Sequence, residues 1–109
     1  MKVSELAAKI GYEIVVNTKD GDVTTGYTSD LLSDVMGNAE EGSILITIQA
    51  HKNSVAVASQ LDFPAILVCN NRTAPEDMIT AASAEGIAIL KTKDNQFVSS
   101  YKIHKVLFN

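Results

Sequence analysis

Cysteine is nearly missing from this chain. Cys69 stands alone, so no intrachain disulfide can form and the fold must be held by packing. Cations are also scarce: nine Lys and Arg face thirteen Asp and Glu, a formal net charge of −4, and the nine are scattered. Without a basic stripe there is little to release counterions from a phosphate backbone, which disfavours nucleic acid as a partner, and none is expected. No apolar run approaches the length that spans a bilayer, and the opening stretch MKVSELAAKIGYEI lacks the apolar core and small-residue cleavage site of a signal peptide. The expected compartment is therefore the cytoplasm, with no membrane partner. In that compartment the glycosylation sequon Asn71-Arg72-Thr73 has no meaning.

Catalytic signatures are missing as well. The six glycines fall at turns and helix ends, and neither a P-loop, a dinucleotide-binding G-x-G-x-x-G nor a G-x-S-x-G nucleophile elbow is present. The two histidines, His51 and His104, lie far apart from each other, and with a single cysteine they make no zinc pattern. No metal and no cofactor is expected, and the chain is not expected to be an enzyme.

What is present is globular: 46% apolar and 20% charged residues over 109 positions, enough for one domain with its own core. Lys2–Ile10 carries Val3, Leu6, Ala7 and Ile10 on one face and stops at Gly11, which predicts a short helix. Strand-like runs 12–16 and 23–28 flank a turn ending in Asp20-Gly21. That arrangement predicts a hairpin at one edge of the sheet. Ser29 or Asp30 is expected to cap a helix that closes at Gly37-Asn38. Three strand–helix units then follow. Ser43–Ile48 leads to a helix from Asn53 or Ser54 to about Leu61, ended by Asp62-Phe63-Pro64. Ala65–Cys69 leads to a helix opened by the capping box Thr73-x-x-Glu76 and ended by Gly86. Ile87–Leu90 leads to a last helix from Asp94 to about Leu107. Short, continuously apolar strands alternating with helices predict an α/β fold, a three-layer α/β/α sandwich with a mainly parallel sheet and right-handed crossovers.

In such a sheet ligands bind outside the carboxyl ends of the strands. That rule gathers Thr47, Gln49, His51, Lys52 and Asn53 after one strand, Asn70, Asn71 and Arg72 after the next, and Thr92 and Lys93 after the last. Ser29 and Asp30 join this rim if the run 23–28 is parallel to its neighbours. Asp30, Thr47, Gln49, His51 and Asn53 are the candidate ligand-binding residues, suited to a nucleotide or similar anionic small molecule. Each is also a loop residue, and loops are polar, so the cluster argues more than any member. His51 reads first as a surface or capping histidine, next as a ligand anchor, and last as a proton-transfer partner of Asp30. Cys69 ends a buried strand and reads as an inert small hydrophobe. The acid pairs Glu40-Glu41 and Glu76-Asp77 fit a turn and a helix start. In the last helix Phe97, Tyr101, His104 and Phe108 form one stripe. It is expected to pack on the sheet, with part of its breadth left for a second subunit in a twofold homodimer.

Two segments together carry a resemblance: Ser29 through Ala39 (SDLLSDVMGNA), and Ile46 through Asn53 (ITIQAHKN) followed by Val55 through Ala58 (VAVA). They resemble the stand-alone DRTGG-domain proteins over nearly the whole chain. The naming motif is partly kept in Asp22-Val23-Thr24-Thr25-Gly26, with Val23 and Thr25 in place of its arginine and first glycine. The resemblance implies a single domain over residues 1–109 with a fold similar to the N-terminal domains of HPr kinase/phosphorylase and of Mur ligases. It also implies a regulatory or dimerising role. Such domains sit beside CBS domains in regulatory pyrophosphatases and in phosphotransacetylase-type enzymes, and small stand-alone versions occur near iron-only hydrogenase genes. It supplies no ligand and no catalytic residue. The expected function is a non-catalytic regulatory or small-ligand-binding module accessory to a metabolic enzyme or hydrogenase system. The alternatives are a scaffold using the last helix and, behind it, a small enzyme using His51 and Asp30.

Overall fold

The computed structural model describes residues 1–109. Its elements run α1 (Val3–Ile10), β1 (Glu13–Val16), β2 (Thr25–Thr28), α2 (Leu32–Asn38), β3 (Ser43–Thr47), α3 (Lys52–Gln60), β4 (Ala65–Val68), α4 (Glu76–Glu85), β5 (Ala88–Lys91) and α5 (Gln96–Phe108). The strands form one sheet in the order β1-β5-β4-β3-β2. β2, β3, β4 and β5 are parallel, and β1 closes the far edge antiparallel to β5. This is the three-layer α/β/α architecture.

The apolar runs explain the layers. β3 and β4 are buried along their whole length, so alternate side chains feed two separate cores. Leu45, Ile66, Val68 and Ile89 pack with Val35 of α2, Val55 and Ala58 of α3, and Met78 and Ala82 of α4 on one face. Ile44, Ile46, Ala65, Leu67, Cys69 and Leu90 pack with Val3, Leu6 and Ala7 of α1 and Ile103 of α5 on the other. Four successive parallel strands joined by three crossovers of one hand put α2, α3 and α4 on the same side. No helix is long and apolar enough to cross a membrane.

The expected hairpin is not formed: β1 and β2 lie on opposite edges of the sheet. The turn chemistry at Asp20-Gly21 is real, since Asp20 has φ 55°, but its carboxylate goes elsewhere. It accepts from the backbone N–H and the hydroxyl of Ser4 at 2.8 and 2.7 Å and from the Asn17 amide at 2.9 Å, acting as a cap for α1 supplied from outside that helix. The chain then passes under the amino ends of the strands, with Val3 N–H donating to Gly21 O and Thr24 N–H to Gly42 O. Each edge strand thereby pairs with an apolar inner strand, which buries more than a two-strand ribbon would.

Several caps also differ from expectation. α1 does stop at Gly11, which takes the left-handed conformation at φ 72°. α2 is preceded by Leu31 with no side-chain cap, because the Asp30 carboxylate turns away toward β3. α4 starts after Pro75 and the Thr73 capping box is not made; the Thr73 hydroxyl instead accepts from Lys91 Nζ at 3.3 Å. The cap of α5 is Asn95, whose side chain accepts from Val98 N–H at 2.9 Å. The α5 stripe is rotated from the expected orientation. Ser99 and Ile103 face the sheet, while Phe97, Tyr101 and Phe108 are 84%, 62% and 57% exposed.

Candidate functional site

β2 is parallel to β3, so the loop carrying Ser29 and Asp30 does open at the same end of the sheet as those after β3, β4 and β5. Asp30 is half-buried there. Its Oδ1 accepts from Thr47 Oγ1 at 2.8 Å, Ile48 N–H at 2.9 Å and Gln96 Nε2 at 3.0 Å. One carboxylate oxygen thus ties the β2–α2 loop to the end of β3 and the start of α5. Thr47, the last residue of β3, is fully buried, and its hydroxyl also accepts from Gln49 N–H at 3.1 Å. Gln49 gives its carbonyl to the Ser54 hydroxyl at 2.9 Å and to His51 N–H at 2.9 Å, which leaves its exposed side chain without a partner.

His51 is the N-cap of α3, its Nδ1 accepting from Asn53 N–H at 3.0 Å. An accepting Nδ1 puts the ring proton on Nε2. The capping reading of His51 therefore holds, and α3 begins at Lys52 rather than at Asn53 or Ser54. The side chain of Asn53 borders a shallow groove between α3 and α4 and makes no hydrogen bond of its own. All five residues lie at the carboxyl ends of β2 and β3. Asp30 and Thr47 touch directly, His51 and Asn53 are joined by the cap, and the Gln49 backbone links the two pairs. No hydrogen bond joins Asp30 to His51, and the ring nitrogen facing the helix is occupied by the cap.

The other half of this end is built around β4 and β5. Asn70 and Asn71 take left-handed φ of 60° and 57°, so their N–H groups reach Asp94 O at 3.0 Å and Thr92 O at 2.8 Å, lacing the two loops together. Beside them a cleft of about 360 Å³ is bordered by Tyr12, Asn71, Lys91, Lys93, Asp94 and Lys102. Asp94 accepts from the Tyr12 hydroxyl and from Lys102 Nζ, each at 2.8 Å. The Lys102 ammonium holds the Asp94 carboxyl below the usual carboxylate range, and Asp94 in turn raises Lys102. Burial pushes the Tyr12 phenol up, and its bond to Asp94 adds to this. Behind them Cys69 is buried, with its thiol 3.6 Å from the Ser99 hydroxyl and its pKa raised by burial. No group of three or more His, Cys, Asp or Glu side chains is placed to hold a metal ion.

Of this second half, sequence reasoning named Asn71, Thr92 and Lys93 but missed Tyr12, Lys91 and Lys102, and read Asp94 only as a helix start. Lys91 had a signal, since it follows the apolar run Ile87–Leu90 immediately. Tyr12 had none, because its place depends on β1 pairing with β5. Lys102 lies eight residues after Asp94, so the contact needs the α5 start to be known.

No protein-family model matches the chain, and no curated protein matches it by sequence. Among solved structures it is similar to one of Clostridium perfringens pyrophosphatase, holding the CBS and DRTGG domains of that protein's regulatory region in complex with the activator diadenosine tetraphosphate. The TM-score is 0.73 at 16% identity, over 94% of this chain and 45% of that one. The chain therefore spans less than half the length of the structure it matches. At this identity the likeness is one of fold, shared with a part of that regulatory region.

Proposed function

We propose that this protein is a non-catalytic regulatory module that binds a nucleotide or similar anionic small molecule at the carboxyl ends of its parallel strands. In this reading Asp30, Thr47, Gln49, His51 and Asn53 form one side of the binding rim. Asp30 and Thr47 brace the loops, and the uncommitted side chains of Gln49 and Asn53, with His51 Nε2, meet the ligand. The observation that supports the reading is that four parallel strands end on one side of the molecule, so the loops carrying Gln49 and His51 share that end of the sheet with those carrying Asn71 and Lys93. The nucleotide activator of the structurally similar pyrophosphatase region favours the same ligand class. The module is read as a cytoplasmic accessory to a metabolic enzyme or hydrogenase system.

The test is a thermal-shift screen against nucleotides and phosphorylated metabolites. A ligand at a hundred times its Kd stabilises by about 2.7 kcal/mol, well above detection. The shift should vanish in a Gln49→Ala, His51→Asn double variant, in which Asn keeps the α3 cap that His51 supplies. The reading fails if no ligand shifts the wild type, or if the double variant responds unchanged.

A second reading, a homodimer or scaffold built on α5, is favoured by the exposed aromatic stripe of Phe97, Tyr101 and Phe108. Sedimentation of a Phe97→Glu, Phe108→Glu variant tests it: the wild type should sediment as a dimer and the variant as a monomer. A wild type monomeric at high concentration removes this reading.

A further inference from the structure

The loops at the carboxyl end of the sheet do not all turn the same way. Those after β2 and β3 lead to α2 and α3 on one face, and the loop after β4 leads to α4 on that face too. The loop after β5 leads to α5 on the other face. Adjacent strands whose chains leave to opposite sides open a crevice between their ends, and open α/β sheets take their ligands there. In this protein that change of side falls between β4 and β5, whose loops are laced together, and the cleft bordered by the lysines opens beside them, between the end of β5 and the Ile10–Glu13 segment, with Asn71 reaching it from the β4 side.

Charge gathers there without a structural reason. Of nine basic side chains in an acidic chain, Lys91, Lys93 and Lys102 border this one cleft. They come from three places: the last residue of β5, the β5–α5 loop and the second turn of α5. Lys102 is fixed, bonded to Asp94 and lying 5.8 Å over the Tyr12 ring. Lys91 has only the neutral Thr73 hydroxyl as partner, and Lys93 has no partner at all. The ion pairs of the protein are Met1–Asp22, Lys2–Asp22 and Lys102–Asp94, so neither Lys91 nor Lys93 is neutralised. Asn71 adds an amide side chain without a partner. Glu13 also borders the cleft and Asp94 is spent on Lys102 and Tyr12, so the free side chains carry more positive than negative charge.

We propose that this cleft binds a phosphoryl group, with Lys91, Lys93 and Asn71 as its donors and Lys102 as a third, pre-positioned ammonium. The proposal rests on the reading that the strand-end rim takes an anionic ligand, and it gives the anion its place. A phosphoryl group suits the site because it carries about −1.5 to −2 charge and three acceptor oxygens, enough to satisfy ammoniums arriving from separate directions. A carboxylate has one charge and two oxygens, and lysines meet it as point charges without the fork that arginine offers.

The experiment is a titration of the full chain, followed by amide NMR, with sodium pyrophosphate against sodium chloride at matched ionic strength. Saturable shifts are expected at Asn71, Thr92, Lys93 and Asp94. They should weaken at least about tenfold in Lys91→Gln, Lys93→Gln, the loss of two charge-assisted bonds, and stay unchanged in the opposite-end control Lys2→Gln, Lys19→Gln. Both variants retain the side-chain stems, and their spectra report folding directly. Shifts that do not saturate, that chloride reproduces, or that persist in the cleft variant overturn the proposal. A parallel titration with ATP separates the two readings. Shifts confined to Gln49, His51 and Asn53 remove the cleft while leaving the ligand-binding module. Silence at both places removes both.

Discussion

Removing the Asp30 carboxylate should destabilise the fold more than any other change at the rim, independent of ligand. In Asp30→Ala three donors lose one shared oxygen: Thr47 Oγ1, Ile48 N–H and Gln96 Nε2. Thr47 is wholly buried and Ile48 half-buried, whereas Gln96 can turn to water. An orphaned buried polar group costs about 1–3 kcal/mol. Asp30 is itself half-exposed, so water entering the vacated space recovers part of two such penalties and the net loss is about 2–3 kcal/mol. For a domain of this length that lowers Tm by roughly 8–15 °C. Asp30→Asn keeps a neutral acceptor and should lose about half as much. Urea unfolding followed by far-ultraviolet circular dichroism measures both; tryptophan is absent, so its fluorescence is of no use. Pairing Asp30→Ala with Thr47→Val in a double-mutant cycle should show coupling of about 1 kcal/mol, because the second change removes the stranded hydroxyl. An Asp30→Ala protein within about 0.5 kcal/mol of wild type would refute the idea that this oxygen braces the loops.

Further outcomes follow from single contacts. Gly42 has φ 81°, and a Cβ there would run into Thr24 Oγ1, so Gly42→Ala should cost about 2 kcal/mol in chemical denaturation. Thr24→Ala should recover the collision but not the backbone part, so a full rescue would contradict the left-handed assignment. On the acid side, Asp94, Asp20 and Asp34 lie below their ordinary value of 3.8, chiefly through bonds from Lys102, Asn17 and Tyr27 in turn. Lowered carboxylates stabilise above the unfolded value and lose this as pH falls through the folded one. Urea midpoints should therefore drop below about pH 4, and Asp94→Asn should flatten that limb. On the alkaline side Lys102, raised above 10.5 by its bond to Asp94, and Tyr12, raised above 10.0 by burial, stabilise until pH climbs through their folded values. A midpoint flat beyond pH 10.5 would deny this.

The central layer was legible because its strands have no polar side. Ser43–Ile48, Ala65–Cys69 and Ile87–Leu90 could only be buried on both faces, and that requires parallel strands with helices above and below. Gly11 and Gly86 marked helix ends for the same local reason. What escaped was decided at a distance. The hairpin signal at Asp20-Gly21 was a correct turn with the wrong consequence, since Asp20 was drawn to Ser4. The Thr73-x-x-Glu76 box was a correct spelling defeated by Pro75 and by Lys91 across the loop. The α5 stripe shows the limit of periodicity: Phe97, Tyr101, His104 and Phe108 and the buried pair Ser99 and Ile103 are both helical stripes. The packing of Ile103 with α1 and the sheet, together with the Tyr12–Ser99–Cys69 contacts, decides which one faces inward.

The polar residues at the strand ends divide into two populations, and the division bears on how a site here has to be probed. Asp30, Thr47, Thr92, Asp94 and Tyr12 spend their hydrogen-bonding atoms on loop backbone and on each other. The side chains of Gln49, Asn53, Asn71 and Lys93 spend none. A residue of the first kind changes stability when replaced and disturbs any ligand only through the loop it braces. One of the second kind leaves the unfolding midpoint in place and changes only what binds. Buried atoms need partners to fold at all, whereas side chains that cost nothing to leave in water are the ones whose placement folding does not explain. A loss of ligand response in Asp30→Ala would thus be ambiguous, while the same loss in Gln49→Ala or Lys93→Gln, at an unchanged midpoint, has no structural explanation to hide behind.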